Sequence, residues 1–216
     1  MKLLAIEGAL GAFECAALDE DRVLARRRVK SNQALEAGLA AIAATIDESG
    51  IAPDELDRIA VGLGPGGFTG LRVALSYAKA LAFAWGVSLL GLSSFETLEA
   101  GAQVLPCLCI VEGRPGIVSV RLRTGDGERR ASGETGAALA EILPQPLAEP
   151  LALAGATAGA ARILAERGQP VFSLPPVSSP VLALARLARA KPAAASPHAL
   201  VADYGEAPAA KVPTRT

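Results

Sequence analysis

Short apolar runs and longer segments with helical spacing alternate along the first hundred residues. The apolar runs predict strands over residues 2–6, 14–18, 22–29, 56–63 and 87–92. The first three strands follow one another directly, with an acidic turn between the second and the third, which indicates an antiparallel meander. The last two alternate with helical segments, an order that is typical of α/β proteins.

The first helical segment carries its larger apolar residues three or four positions apart. Ser31 is its predicted N-cap, and Gly50 is its predicted end because glycine readily adopts the left-handed backbone that closes a helix. The apolar stripe consists of Leu35, Leu39, Ile42 and Ile46.

A second helix is predicted over about residues 71–85, between a glycine-rich turn and a buried strand. Thr69 is its predicted N-cap and Gly86 its predicted C-terminal stop. Ser93 and Glu96 then have the spacing of a capping box, which predicts a further helix toward residue 100.

The pattern restarts beyond Gly101. Strands are predicted over 104–111, 117–123, 151–154 and 171–174, helices over 136–143, 156–167 and 181–190, and an irregular Pro/Ala-rich tail from Lys191. Because strands followed by alternating helices and strands occur twice, the sequence predicts an α/β protein with two related lobes, residues 1–100 and 101–216.

Composition narrows the classes of function. The chain has 216 residues, of which 51% are apolar and 4% aromatic, and its formal net charge is −1. A nearly neutral chain lacks the positive field that gathers nucleic acid, and few aromatic side chains are available to stack on bases. The N-terminus has no signal-peptide pattern, and no uncharged apolar stretch approaches the roughly 18 residues of a membrane helix. We therefore expect a soluble cytoplasmic protein that does not bind nucleic acid directly.

Cysteine and histidine usage argues against several kinds of catalytic site. The three cysteines show no disulfide framework, and we predict that Cys107 and Cys109 are small buried residues on a strand rather than metal ligands. The single histidine, His198, lies in the Pro/Ala-rich tail, so a zinc site and a His-based triad are not expected. No metal site and no catalytic residue is predicted.

A glycine-rich turn between a predicted strand and a predicted helix is the most informative segment. Gly62, Gly64 and Gly67 match GxGxxG, but Pro65 interrupts the motif and the following strand ends without an acidic residue, which argues against a dinucleotide site. Two interpretations stay open at this point. In the first, free N–H groups at the start of the helix bind an anion or a partner backbone. In the second, the glycines only make the turn sharp, so that the helix packs tightly on the sheet.

The same turn resembles a family signature. Residues 64–72, GPGGFTGLR, resemble the GPGSFTGLR string of the TsaB (YeaZ) family, with Gly67 in place of serine. Flanking segments also resemble that family, at residues 56–61, 78–82, 90–98 and, loosely, 204–211. The signature loop consists of Gly64, Pro65, Gly66, Gly67, Phe68, Thr69, Gly70, Leu71 and Arg72.

This resemblance implies an ASKHA (actin/Hsp70-like) fold with two lobes of mixed sheets flanked by helices. It implies a non-catalytic subunit in the formation of N6-threonylcarbamoyladenosine at position 37 of ANN-decoding tRNAs. In that family TsaD carries the metal and the transfer chemistry, TsaB dimerises with it as a scaffold, and the ATPase TsaE joins them. The implied partners are therefore TsaD, TsaE and, for the chain alone, a second copy. Contact with tRNA is indirect, no cofactor is expected, and a nucleotide at the TsaB–TsaD boundary is left open.

Two helices of the first lobe are apolar on more than one face. A helix that is apolar nearly all round requires cover on both sides, and alanines permit the close approach of another helix. The resemblance implies that these helices form the dimer surface, and we expect the same surface to bind a second copy and TsaD. The predicted interface residues are Ala37, Ala40, Ala44, Val73, Tyr77, Ala80 and Ala84.

The chain departs from the family where the first strand ends. Residues 7–9, Glu-Gly-Ala, stand where the family has Asp-Thr-Ser, so this turn has no hydroxyl to hold a metal-bound phosphate. Residues 112–119 replace the family's DARRxEVY, and the usual histidine is replaced near residues 30–31. We predict that Glu7 is a capped or solvated carboxylate rather than a metal-site acid, and that Arg26, Arg27 and Arg28 lie on a solvated strand edge.

Two alternative functions belong to other classes. An M22-type glycoprotease-like peptidase would need metal ligands or a nucleophile with a base, which this chain does not offer. A small ASKHA kinase would need an intact phosphate loop, and the Gly8–Ala9 pair argues against one.

Overall fold

Two five-stranded sheets with flanking helices make up the computed structural model, which describes residues 1–100, 102–194 and 196–205. The strands of the first sheet are β1 (Lys2–Glu7), β2 (Ala12–Asp19), β3 (Arg22–Lys30), β4 (Arg58–Gly62) and β5 (Ser88–Leu92). Those of the second are β6 (Cys107–Arg114), β7 (Ile117–Thr124), β8 (Gly127–Glu134), β9 (Leu151–Gly155) and β10 (Val171–Ser173). The helices are α1 (Ala34–Ser49), α2 (Phe68–Trp85), α3 (Ser94–Glu99), α4 (Thr135–Ile142), α5 (Thr157–Glu166) and α6 (Pro180–Arg189).

The two sheets repeat one topology. Their strand orders are β3-β2-β1-β4-β5 and β10-β9-β6-β7-β8. In the first sheet β1 pairs antiparallel with β2 and parallel with β4, and in the second β6 pairs antiparallel with β7 and parallel with β9. The α/β ASKHA architecture expected from the sequence, two lobes with mixed sheets flanked by helices, is confirmed.

Helices α1 and α2 cover one face of the first sheet. The sheet-facing stripe of α2 is buried, and from Ala74 onward it packs with Leu4, Ile6 and Ile59 of the strands in one apolar core. Both helices end at a left-handed glycine, Gly50 or Gly86, as the sequence predicts. The buried stripe consists of Leu71, Ala74, Leu75, Ala78 and Ala82.

The last helix of each lobe covers the sheet of the other. From α6, Val181 and Leu184 pack on the second face of the first sheet, against residues of β1, β2, β4 and β5. From α3, Phe95 packs on the second sheet with Cys109 and Ala154. A boundary at residue 101 therefore separates the two sheets but not the helices that cover them. On its other face, the second sheet is covered by α4 and α5.

Two local predictions are wrong, and one strand is missing from the predicted set. Ser31 belongs to a short 3-10 helix and does not cap α1, whose N-cap is Gln33. Thr69 lies inside α2, whose N-cap is Gly67. The polar segment after β7 forms a complete edge strand, β8, which the apolar pattern could not reveal because five of its eight residues are exposed.

Within the described ranges, no helix is long and apolar enough to cross a membrane. Residues 206–211 of the loose terminal resemblance to the family lie outside the described part of the chain.

Candidate functional site: the signature loop and the exposed faces of α1 and α2

The signature loop leaves β4 and enters α2. Gly64 and Gly66 have φ of +86° and +151°, backbone conformations that side chains with a Cβ rarely adopt. Gly67 has φ −61° and ψ 113°, which is ordinary extended backbone for an N-cap. The loop therefore needs its first two glycines for its turn and uses Gly67 to start the helix.

The loop packs backbone against backbone on the turn between β1 and β2. The Gly67 N–H donates to the Ala9 oxygen at 2.8 Å. A Cβ on Gly66 would lie 2.3 Å from the same oxygen, and a Cβ on Gly8 would lie 2.2 Å from the Gly70 oxygen. Real Cβ atoms do not approach so closely, so the glycines are required by the contact itself.

Glu7 is buried beneath this contact. Its Oε1 accepts the N–H groups of Ala9 at 2.6 Å and Leu10 at 3.2 Å, so the carboxyl caps the turn, as predicted. Within the described residues its Oε2 has no hydrogen-bond partner, and a Cβ on Gly62 would lie 2.1 Å from that atom. Burial raises the pKa of Glu7 to about 7, and the N–H donors of the turn oppose that rise.

The signature loop also contacts α3, the second lobe and the C-terminal segment. The Gly64 oxygen accepts the Ser94 N–H at 2.7 Å. A Cβ on Gly113, in the second lobe, would lie 3.5 Å from the Gly66 oxygen. The Asp203 N–H donates to the Leu63 oxygen at 2.7 Å. Of the two interpretations of the glycines, these contacts favour tight packing, because the backbone groups that approach the loop belong to the chain itself.

The exposed faces of α1 and α2 form the second feature of the site. The Tyr77 hydroxyl donates to the Leu35 oxygen at 3.0 Å, which places the start of α1 beside the middle of α2. Phe83 is 84% exposed, Leu35 64% and Leu39 49%. Side chains of this size usually lie in a core, so the two helices present an uncovered apolar surface.

The predicted interface residues fall into two groups. Val73 is 9% exposed and lies in the core of the first lobe, so the expectation that it faces outward is wrong. Tyr77 is half-buried and packs edge-on against Phe13, with the ring centroids 6.3 Å apart. The alanines reach the surface to different degrees: Ala40, Ala80 and Ala84 are exposed, and Ala37 and Ala44 are intermediate.

The larger members of this surface are absent from the predicted set. Leu35 and Leu39 have the spacing of a core-facing stripe, and the sequence gives no sign that only the second half of that stripe, Ile42 and Ile46, is buried. Phe83 stands between the buried Ala82 and the exposed Ala84. A helical wheel of α2 that marks the buried stripe would have placed Phe83 on the far side. We define the partner surface as Leu35, Leu39, Ala40, Ala80, Phe83 and Ala84.

The comparisons with known proteins decide the family. The sequence profile described as TsaD, tRNA N6-adenosine threonylcarbamoyltransferase, matches residues 28–204, most of the chain. The chain belongs to the TsaD family. In the TsaD family it is similar to the tRNA threonylcarbamoyladenosine biosynthesis protein TsaB of Bacillus subtilis, 33% identical over 48% of this chain and 45% of that protein. It is also similar to TsaB of Escherichia coli, 28% identical over 47% of this chain and 44% of that protein.

The TsaB (YeaZ) resemblance is thereby confirmed, although the chain matches less than half the length of these two curated relatives. The crystal structure of an uncharacterized protein with similarity to peptidase YEAZ, from Pseudomonas aeruginosa, superimposes with a TM-score of 0.68 at 25% identity. That alignment covers 95% of this chain and 99% of the other.

Other predicted features have simple structural roles. Cys107 and Cys109 are buried and not paired in a disulfide, as predicted, and burial raises the pKa of both thiols. Arg26 and Arg28 lie on the exposed edge strand β3 and pair with Glu14 at 2.9 and 3.4 Å. In the part of the chain that the structure describes, no group of three His, Cys, Asp or Glu side chains is placed to hold a metal ion.

Proposed function

We propose that this chain is a non-catalytic scaffold subunit that binds TsaD and supports threonylcarbamoyl transfer to adenosine 37 of ANN-decoding tRNAs. The partner surface on α1 and α2 is the observation that carries the proposal. When a partner covers its large side chains, the apolar area that leaves water stabilises the complex by about 25 cal/mol for each Å². Its alanines let the backbone of a partner helix come close.

We propose that the same surface also binds a second copy when the chain is alone. Two-fold symmetric dimers use one patch on both subunits, so the patch must complement itself. An apolar patch with little charge meets this condition, because it sets no like charges against each other at the centre of the interface. We therefore propose a homodimer that gives way to the TsaD complex when TsaD is present.

The closed contact between the signature loop and the β1–β2 turn supports a role without chemistry at this turn. Gly8 has no room for a hydroxyl-bearing side chain, because a Cβ there would meet the Gly70 oxygen at 2.2 Å. The turn is filled by the backbone of the chain itself, so we assign no cofactor to it. We propose further that TsaE joins through TsaD, that tRNA is held by TsaD rather than by this chain, and that the complex acts in the cytoplasm.

Reconstitution tests the proposal. TsaD, TsaE, threonylcarbamoyl-adenylate and an ANN-decoding tRNA are assayed for modified adenosine with and without this chain. We expect modification to depend on the chain and Phe83→Glu to abolish both the dependence and co-migration with TsaD. Phe172→Glu is the matched control, since Phe172 is an exposed phenylalanine on β10 of the other lobe. Unchanged modification without the chain, or equal loss with both variants, would refute the scaffold role.

A further inference from the structure

The C-terminal segment Leu200–Gly205 lies across the signature loop and contacts both lobes. In the first lobe, Leu200 and Ala202 pack on the apolar core. The Asp203 N–H donates to the Leu63 oxygen at 2.7 Å, at the end of β4. A Cβ on Gly64 would lie 2.3 Å from the Asp203 oxygen, so this part of the segment touches the loop backbone directly.

The same segment is held by side chains of the second sheet. The Asp203 carboxylate lies 3.5 Å from the Arg130 guanidinium of β8. Its other oxygen accepts the Gly205 N–H at 2.9 Å, which tightens the turn at the end of the segment. A Cβ on Gly205 would lie 2.0 Å from the Ser119 hydroxyl of β7 and 3.0 Å from Pro65 of the signature loop. Gly205 is thus enclosed between the second sheet and the loop.

Tyr204 connects the segment to the start of α2. Its ring lies against the Phe68 ring, with centroids 5.1 Å apart. The Arg72 guanidinium lies 5.1 Å from the centroid of the same Phe68 ring. Phe68 and Arg72 are exposed residues of the first two turns of α2, on the helix that carries Ala80 and Phe83 of the partner surface.

We propose that Leu200–Gly205 is a releasable strap that couples the two lobes and steadies the start of α2 for partner binding. Among the described residues, Leu200 and Ala202 add apolar packing and Gly205 is enclosed, but the polar and aromatic contacts that hold the segment are few and partly exposed: one backbone hydrogen bond to the loop, one aromatic pair and one ion pair of the kind that water screens. Ordering six residues costs conformational entropy that opposes these contacts. Docked and released states therefore lie close in free energy, and the strap opens before the lobes unfold.

The coupling to partner binding rests on the proposed function, and the strap itself does not. With the strap docked, Tyr204 and the Leu63–Asp203 hydrogen bond hold the loop from which α2 starts. When the strap is released, Phe68 loses its contact with the Tyr204 ring and the loop region loses one of its backbone partners. A binding partner on α2 then has to order this region again, which weakens its affinity.

Hydrogen exchange of the full chain tests the strap. Tyr204→Ala removes the aromatic pair, and Arg130→Ala removes the ion pair from the side of the second lobe without touching the strap sequence. We expect Tyr204→Ala to speed exchange of the Asp203 amide, and of peptides over residues 60–71, by roughly two- to tenfold. Val201→Ala is the matched control on the strap, because Val201 is 74% exposed, and it should leave exchange unchanged. Exchange in Tyr204→Ala and Arg130→Ala no faster than in Val201→Ala would overturn the strap.

Titration with TsaD separates the coupling from the proposed function. We expect Arg130→Ala, which lies on β8, to weaken TsaD binding by a factor similar to its effect on exchange. Faster exchange with unchanged TsaD affinity would overturn the coupling. If the unmodified chain does not bind TsaD at all while Tyr204→Ala still speeds exchange, the proposed function fails and the strap as a link between lobes is supported.

Discussion

Gly67 is the signature glycine that has room for a side chain. A Cβ at this position would lie 3.6 Å from the Ala9 oxygen, an ordinary contact, and its φ of −61° suits any residue. Gly64, Gly66 and Gly70, in contrast, would each bring a Cβ within 2.3 Å of a backbone oxygen. The TsaB signature has serine where this chain has Gly67, so the chain departs from the string at a position where the structure tolerates either residue.

Replacing Gly67 with serine should therefore stabilise the protein. Serine at an N-cap accepts an N–H of the first helical turn, which is worth a few tenths of a kcal/mol over glycine. It also narrows the backbone freedom of the unfolded chain, worth about 0.4–1 kcal/mol. We expect Gly67→Ser to raise the free energy of unfolding by about 0.6–1.3 kcal/mol, or the Tm by roughly 1–5 °C for a chain of this size.

The assay is thermal and urea unfolding followed by circular dichroism, with Gly66→Ser as the neighbouring control. At Gly66 the positive φ and the 2.3 Å approach to the Ala9 oxygen should cost at least about 1–3 kcal/mol. A Gly67→Ser variant that unfolds at a lower temperature than the original chain would refute the N-cap geometry. A Gly66→Ser variant of unchanged stability would refute the close packing of the loop on the β1–β2 turn.

Three further outcomes follow from buried contacts. Burial raises the pKa of Glu7 from 4.5 to about 7, so the folded state holds the proton more tightly and stability is lost as pH rises from about 4.5 to 7. In Glu7→Gln, the loss of unfolding free energy between pH 5 and pH 8, measured by urea unfolding, should be smaller by up to about 3 kcal/mol. Parallel pH profiles of the variant and the original chain would contradict this. Glu99 pairs with the buried Arg121 at 2.7 Å, so Glu99→Gln should cost up to about 3–5 kcal/mol, and a Tm within 1 °C or so of the original would contradict this. Gly8→Ser should destabilise by more than about 1 kcal/mol through its clash with the Gly70 oxygen, and normal stability would show that the loop can open.

The sequence could predict the strands that bury both faces and the helices that end at glycine. Runs such as residues 2–6 and 56–63 are apolar because helices cover the sheet on both sides, so composition alone marks them. The sequence did not predict β8, because an edge strand with exposed charged residues has the composition of a loop. The exposure of Leu35 and Leu39 was not predicted for a related reason. Periodicity shows that a helix has an apolar face, but it does not show which neighbour covers that face.

The signature loop of the site was predictable from the sequence, but the contacts of the loop and the large side chains of the partner surface were not. The signature string marks the loop, yet nothing local shows that Gly8, about sixty positions earlier, meets Gly70 across the sheet. Close approaches of this kind depend on strand order, which is a property of the whole lobe. Each sheet is also covered by a helix of the other lobe, α6 on the first sheet and α3 on the second. This long-range arrangement cannot be seen in any short segment of the sequence.

The position of the signature loop suggests how a loop packed inside the chain supports the binding of a partner to α2. A helix that offers an interface binds best when it is already fixed, because ordering it on binding costs free energy. The contacts of Gly64, Gly66 and Gly70 fix the start of α2 to the strap, the β1–β2 turn and α3, so the loop can support binding without touching a partner. A loop that contacts TsaD directly would behave differently from one that only holds α2. If it only holds α2, Gly70→Ala should lower the Tm and the TsaD affinity together, whereas Thr69→Ala, an exposed change, should alter neither. Loss of TsaD binding in Thr69→Ala at unchanged Tm would show that the loop itself is part of the interface.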